Sequence, residues 1–357
     1  MIEGRARLFS FLSRGGALAV AALLCAPFGA ALGQTTVTLV SSTVNPPSIS
    51  NIYYLAAMDA TFAKNGLKVQ LQQSAGSPSS VAAIISARAE FASVAVTTLA
   101  NAAAEGVKAR MVVTGNFDFP GVIMSRPEIT NVKQLEGKTM GASAIGSMEY
   151  IITQGYLVKQ GVDFPKIKWV ATRQSSNTIQ ALASGQIDAA WMNTPSLLNM
   201  LKLSSSLRTL VSAEEISKVS PNPGGAVIVT DRYAAQNPKV VQAFVDSVIE
   251  ANRKLYEDRA FFDAVVDKWM PGIYDAGQKT LLYDAHRPSW GVNGGLPLGV
   301  MRSAIESWMT NVNPDRAKNP YFSKVEDLMD VSYARKYLAA NGLTKGALDV
   351  AEWAEAK

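Results

Sequence analysis

Few side chains in this sequence have the type and spacing to do chemistry. His286 is the only histidine and Cys25 the only cysteine. A histidine-based metal site would need carboxylate partners that the sequence does not place beside it. A Ser-His-Asp triad would call for a Gly-x-Ser-x-Gly elbow, and the sequence has none. His286 precedes Arg287-Pro288 in a stretch that reads as loop, so a surface or packing role is expected. Gly137-Lys138-Thr139 imitates the end of a phosphate loop, but Val132 stands where the first glycine is required. It reads as a turn before a strand. Glu214-Glu215 lies in a polar stretch and reads as a solvated face. The expectation is a chain that binds without converting: not an enzyme, with no cofactor and no metal.

What remains are polar and aromatic residues placed where strands end and helices begin. Ligands of open α/β sheets bind outside the carboxyl ends of strands. Helix starts there present unpaired N–H groups and partial positive charge, which suits a carboxylate, sulfonate or nitrate. In the first part of the chain this points to Ser42 after the strand Thr36–Val40 and to Asn51 at a helix start. It points also to Thr97 after the run Ser93–Val96, and to Asn116 and Phe117 after Arg110–Thr114. Further on it points to Ser147 at a helix start, Arg173 after Lys168–Thr172, and Trp191 and Thr194 around another strand end. Serine and threonine serve equally well as helix caps, and Phe117 and Trp191 as core. Arg173 is the most informative, because a guanidinium beside a cleft pairs bidentately with an anionic head group; its plainer role is a surface charge.

Two helix–turn–strand units position these residues. Ser86-Ala87-Arg88-Ala89-Glu90-Phe91-Ala92 and Ser184-Gly185-Gln186-Ile187-Asp188-Ala189-Ala190 each end an apolar helical pattern and start an apolar run. Each carries a carboxylate four residues after the serine. Their offset of about 100 residues is too long for a solenoid repeat and suits two α/β lobes. Strand and helix signals alternate up to Asp231, then turn helical over 240–256, 261–269, 299–311 and 332–341. Lys64-Asn65-Gly66, Lys159-Gln160-Gly161 and Ala340-Asn341-Gly342 read as helix exits with glycine in the left-handed position. Two Pro/Gly-punctuated apolar runs, Gly121–Ser125 and Gly224–Thr230, flank a middle block of typical domain size. They are expected to be the two crossings between lobes: residues 34–120 and 226–357 as lobe 1, with the C-terminal helices, and 121–225 as lobe 2.

Residues 1–33 are expected to be a secretory signal peptide. Arg5, Arg7 and Arg14 form a basic start, Ala17–Leu24 an apolar core too short to span a bilayer, and Ala31-Leu32-Gly33 a small-residue cleavage site. Cys25 follows Leu24 rather than a small residue, which disfavours lipid attachment. Cleavage would leave about 320 residues without cysteine, enough to be held by core burial alone. The formal charge of +5 is spread along the chain with no basic run, so nucleic acid is not an expected partner.

At this point the residues match a family. The run Leu55-Ala56-Ala57-Met58-Asp59-Ala60-Thr61-Phe62-Ala63-Lys64-Asn65-Gly66-Leu67-Lys68-Val69 resembles a signature of periplasmic solute-binding proteins. These serve the ABC importers of nitrate, taurine, alkanesulfonates and thiamine precursors. Leu135–Gly141, Ala181–Ala190, Asn293–Pro297 and Val325–Tyr337 are similar to later segments of that family, in the same order. The chain departs from the pattern at Ala60, where the family often has glycine, and at Asn193-Thr194-Pro195. The resemblance implies an α/β, two-lobed type II periplasmic binding fold with two inter-lobe crossovers. It implies a monomer in the periplasm that closes on a small anionic or amphipathic solute and delivers it to a membrane permease and its ATPase. It also places ligand contacts at Ser147. The alternatives are a thiamine-pyrimidine-type biosynthetic enzyme on the same fold, or a ligand-sensing module.

Overall fold

The computed structural model describes residues 34–41, 49–220, 225–312 and 324–345. The expected leader at 1–33 with Cys25, the candidate Ser42 and the Asn45-Pro46-Pro47-Ser48 loop lie outside the described residues. Alternating β-branched and apolar runs form ten strands: β1 (Thr35–Ser41), β2 (Leu67–Gln73), β3 (Phe91–Val94), β4 (Ala109–Val113), β5 (Gly121–Ser125), β6 (Thr139–Ala142), β7 (Lys168–Ala171), β8 (Ala189–Asn193), β9 (Arg208–Val211) and β10 (Ala226–Thr230). They assemble as two five-stranded sheets, ordered β2-β1-β3-β10-β4 and β7-β6-β8-β5-β9. In the first sheet β1 runs parallel to β2 and β3, and β10 lies antiparallel between β3 and β4. In the second, β6 runs parallel to β7 and β8, and β5 lies antiparallel between β8 and β9. Both antiparallel strands carry a register shift, at Val227/Ile228 and at Ile123/Met124. The two sheets are copies of one plan. Strands β5 and β10 are the two runs expected to cross between them.

Helices cover both faces of each sheet, which explains why the interior strands β3, β5, β8 and β10 are almost continuously apolar while the edge strands β2, β7 and β9 are not. Those of the first part are α1 (Ile52–Ala60), α2 (Ser77–Ile85) and α3 (Val96–Ala104); the middle block adds α4 (Met148–Lys159), α5 (Ser175–Ala183), α6 (Thr194–Leu203) and α7 (Ala213–Val219). After β10 come α8 (Asp231–Gln236), α9 (Pro238–Glu257), α10 (Arg259–Trp269), α11 (Ala276–His286), α12 (Leu298–Val312) and α13 (Ser332–Asn341). The first sheet's main core includes Phe91 of β3 stacked on Phe244 of α9, with ring centroids 4.0 Å apart. Asn51 stands at the cap position of α1 without a side-chain capping bond. His286 has the packing role expected of it but not in a loop: it closes α11 and is fully buried.

The duplicated helix–turn–strand unit has a shared structural task. At the end of α2 the Arg88 N–H donates to the Ala83 carbonyl, and at the end of α5 the Gln186 N–H donates to the Ala181 carbonyl. Both bonds close a Schellman-type exit, with Ala87 (φ 55) and Gly185 (φ 77) in the left-handed position. The carboxylates then fasten the neighbouring strand. The Thr38 N–H donates to Glu90 at 2.6 Å, and the Thr139 N–H donates to Asp188 at 2.8 Å. Left-handed backbone costs an L-residue with a Cβ about 1–2 kcal/mol, and Ala87 is exposed with no compensating contact to lose. Ala87→Gly is therefore expected to stabilise the fold by about 0.5–1 kcal/mol after the added freedom of the unfolded chain is subtracted. Urea unfolding of the two proteins measures it; a loss of stability would contradict the strain.

The two halves are also in side-chain contact. Leu198 of α6 is buried in the core of the first sheet, and α6 packs on α11. The backbone of α12 passes close to α4. Thr114, after β4, donates its hydroxyl to the Gly225 carbonyl just before β10, so the two crossing segments are tied to each other.

Candidate ligand-binding site

The parallel strands β6 and β8 end side by side, and three helices start next to those ends. Met148 and Glu149 open α4, Ser175 opens α5, and Ser196 lies in the first turn of α6. Together with Ser143, Thr178, Ile179, Trp191, Met192 and Asn193 they enclose a cavity of about 130 Å³. All of its walls come from the second sheet and its helices.

The helix starts differ in how they are closed. Asn193 caps α6 by accepting the Ser196 N–H at 2.9 Å. Neither Ser147 at the start of α4 nor Gln174 at the start of α5 supplies a side-chain cap. The Ser147 hydroxyl oxygen is instead buried with no hydrogen-bond partner. Two helix starts with positive ends thus border the cavity uncapped. Glu149 reaches back across the opening, where the Ser143 N–H donates to its carboxylate at 2.7 Å. Trp191 is 6% exposed and its indole lies directly over Gly121. Its Nε1 has no hydrogen-bond partner. Phe119 tilts against Trp191 at 6.2 Å and stands edge-on to His286 at 6.4 Å, linking the cavity wall to α11. Burial pushes the His286 imidazole down to about 4, and neither of its ring nitrogens has a partner.

The residues singled out from sequence fall in different places. Trp191 lines the cavity from within β8. Ser147 stands immediately before it. Arg173 is exposed at its edge, where its N–H donates to the Ser143 carbonyl at 2.9 Å. Its φ of 70 is one of only two left-handed non-glycine values among the described residues, the other being Ala87. Sparsely populated backbone of this kind is concentrated at functional sites. Thr194 is the buried first residue of α6 and is not part of the wall. Asn51 and Thr97 belong to the first sheet's helices and lie outside the cavity. Asn116 and Phe117 serve the crossing segment: the Asn116 carbonyl oxygen of the side chain accepts the Asp118 N–H at 3.1 Å, and the Phe117 N–H donates to Ser289 at 3.0 Å. Sequence reasoning missed Glu149, Ser175, Thr178 and Ser196. A carboxylate or serine in a first turn is ordinary helix chemistry, so only proximity in the fold distinguishes them. Among the described residues no cluster of three or more His, Cys, Asp or Glu could hold a metal ion.

The profile of the family described as NMT1/THI5 like matches residues 49–258, more than half of the chain. The chain belongs to that family. No curated protein sequence matches it. Among solved structures it is similar to a putative periplasmic sulfonate-binding protein of a sulfonate ABC transporter from Methylobacillus flagellatus KT, with a TM-score of 0.68 and 16% identity over 87% of this chain and 96% of that one. It is similar also to the periplasmic aliphatic sulphonate binding protein from Escherichia coli, with a TM-score of 0.64 and 17% identity over 83% and 92%. The periplasmic nitrate-binding protein from Synechocystis PCC 6803 matches with a TM-score of 0.60 and 12% identity over 86% and 89%. At such identities the likeness is one of fold: the two sheets and two crossings are those of the two-lobed, type II periplasmic binding proteins. These neighbours are named as binding proteins. No helix among the described residues is long and apolar enough to cross a membrane.

Proposed function

We propose that this protein is the periplasmic substrate-binding component of an ABC importer, capturing a small amphipathic organic solute between two closing lobes. Residues 34–120 with 226–357 form one lobe and 121–225 the other. The observation that carries the reading is the convergence of the α4, α5 and α6 starts on one cavity at the carboxyl ends of β6 and β8. That is where open α/β sheets take their ligands, and polar groups aimed into a concave recess suffice for recognition without chemistry. The named activities of the solved neighbours support the same reading. Closure alters the surface that both lobes present, which is how loading would be signalled to a permease and its ATPase. The signal-peptide reading of residues 1–33 sends the chain to the periplasm, where it acts as a monomer.

Thermal-shift screening of the protein without its leader against carboxylates, sulfonates, nitrate, amines and pyrimidines tests this. A ligand at 100 times its Kd adds about 2.7 kcal/mol of stability. Recovery of a hit chemically unchanged supports capture; its turnover, or the absence of any hit, overturns it. If an anionic pole of the solute rests at the cavity edge, Arg173→Ala weakens that hit by at least about tenfold, the scale of a lost charge-assisted hydrogen bond. Equal affinity would remove Arg173 from the site.

A further inference from the structure

We propose that Glu149 and Trp191 select a solute that carries a cationic nitrogen on a small apolar body. This rests on the capture reading above and specifies what is captured. Glu149 is the only ionisable side chain in the cavity wall, and no cation pairs with it among the described residues. Its carboxylate is held by the Ser143 N–H and the start of α4, and a cationic group in the recess would be the first full counter-charge it meets. Trp191 lines the same recess, more than nine-tenths buried, and its unpartnered Nε1–H calls for an acceptor that a polar group of the solute would supply. Among aromatic side chains, indole faces attract cations most strongly. Met148, Ile179 and Met192 supply the apolar part of the lining. An oxyanion placed in the same recess would instead meet a like charge at close range. The positive end of α4, which would otherwise draw an anion, is already answered by Glu149 within the first turn of that helix.

Three probes that share a ring and differ in charge separate the possibilities: benzylamine, benzyl alcohol and phenylmethanesulfonate. Calorimetric titration of the protein is expected to show benzylamine binding at least tenfold more tightly than either of the others. In Glu149→Gln its affinity falls at least tenfold, to that of benzyl alcohol, while benzyl alcohol itself is unchanged. Glutamine keeps a carbonyl to accept the Ser143 N–H, and the unliganded melting temperature serves as the check on folding. Tighter binding of the sulfonate by the parent, or unchanged benzylamine binding by Glu149→Gln, overturns the assignment and leaves solute capture standing. So does failure of benzylamine where any anion of the wider screen binds. Failure of every compound in both sets defeats the capture reading itself, and this assignment with it.

Discussion

Gly121→Ala is expected to lower stability by about 2–3 kcal/mol and to abolish measurable solute binding at ordinary ligand concentrations. A Cβ at this position would sit 2.1 Å from Cζ2 and 2.3 Å from Cε2 of Trp191, and 2.8 Å from the Met192 carbonyl oxygen. No heavy atoms tolerate such contacts, and the indole cannot swing aside freely, being buried and backed by Phe119. Overpacking of this kind typically costs about 1–3 kcal/mol. Here β5 is central in its sheet and pairs Gly121 with Asn193, so the upper end of that range is expected. Because Trp191 is also a cavity wall, any relief of the clash deforms the recess. Urea unfolding gives the stability, and titration with the screening hit gives the binding. A double variant with Trp191→Leu should recover part of the loss, since neighbouring substitutions that share a contact are not additive. Full stability in the single variant would show that the close approach of ring to backbone is absent.

Acid should weaken the fold through His286. Its buried imidazole has a pKa of about 4 in the folded chain against an ordinary value of 6.5. Between those values the unfolded chain binds a proton that the folded chain refuses, so unfolding becomes easier as pH drops. Stability is complete above about 6.5, falls progressively below it, and has lost about 3 kcal/mol from this residue at and below pH 4. Carboxylates will contribute their own losses at lower pH, so the diagnostic is a difference. His286→Leu removes the titrating group and should flatten the dependence of the urea midpoint between pH 6.5 and 4.5. Parallel slopes for the two proteins would mean that His286 is protonated or solvated in the fold.

The architecture was legible because it is written in punctuation. Pro and Gly flank Gly121–Ser125 and the run ending at Thr230, and apolar residues fill them without alternation, as buried central strands require. Gly161 and Gly342, at helix exits, and Gly66, in the turn that follows α1, all have the positive φ that the Lys/Ala-x-Gly pattern implied. The repeated serine and carboxylate could be seen as a pair, but their work could not: Glu90 and Asp188 hold strand amides that are distant in sequence. The site was legible only in part. Trp191 stood out as a lone aromatic after a helix–turn–strand unit. Asn116 has the look of a ligand contact because it follows a strand, yet local turn geometry claims its side-chain oxygen. Glu149 carried no signal at all, since its meaning comes from Ser143 and Trp191 meeting it in space. The Arg-Pro that follows His286 read as loop and left its role open between surface and packing, where α11 carries the ring inward.

One feature of the strand order bears on how the chain is made. Within its sheet, strand β4 pairs only with β10, which the whole middle block separates from it. On the ribosome, β1 to β3 can pair as they emerge, but β4 must wait until residue 230 has been synthesised. The second sheet suffers no such delay, for all five of its strands lie between 121 and 211. The segment made first is consequently the one finished last, and a chain released before residue 230 would expose the raw edge of β3 to its neighbours.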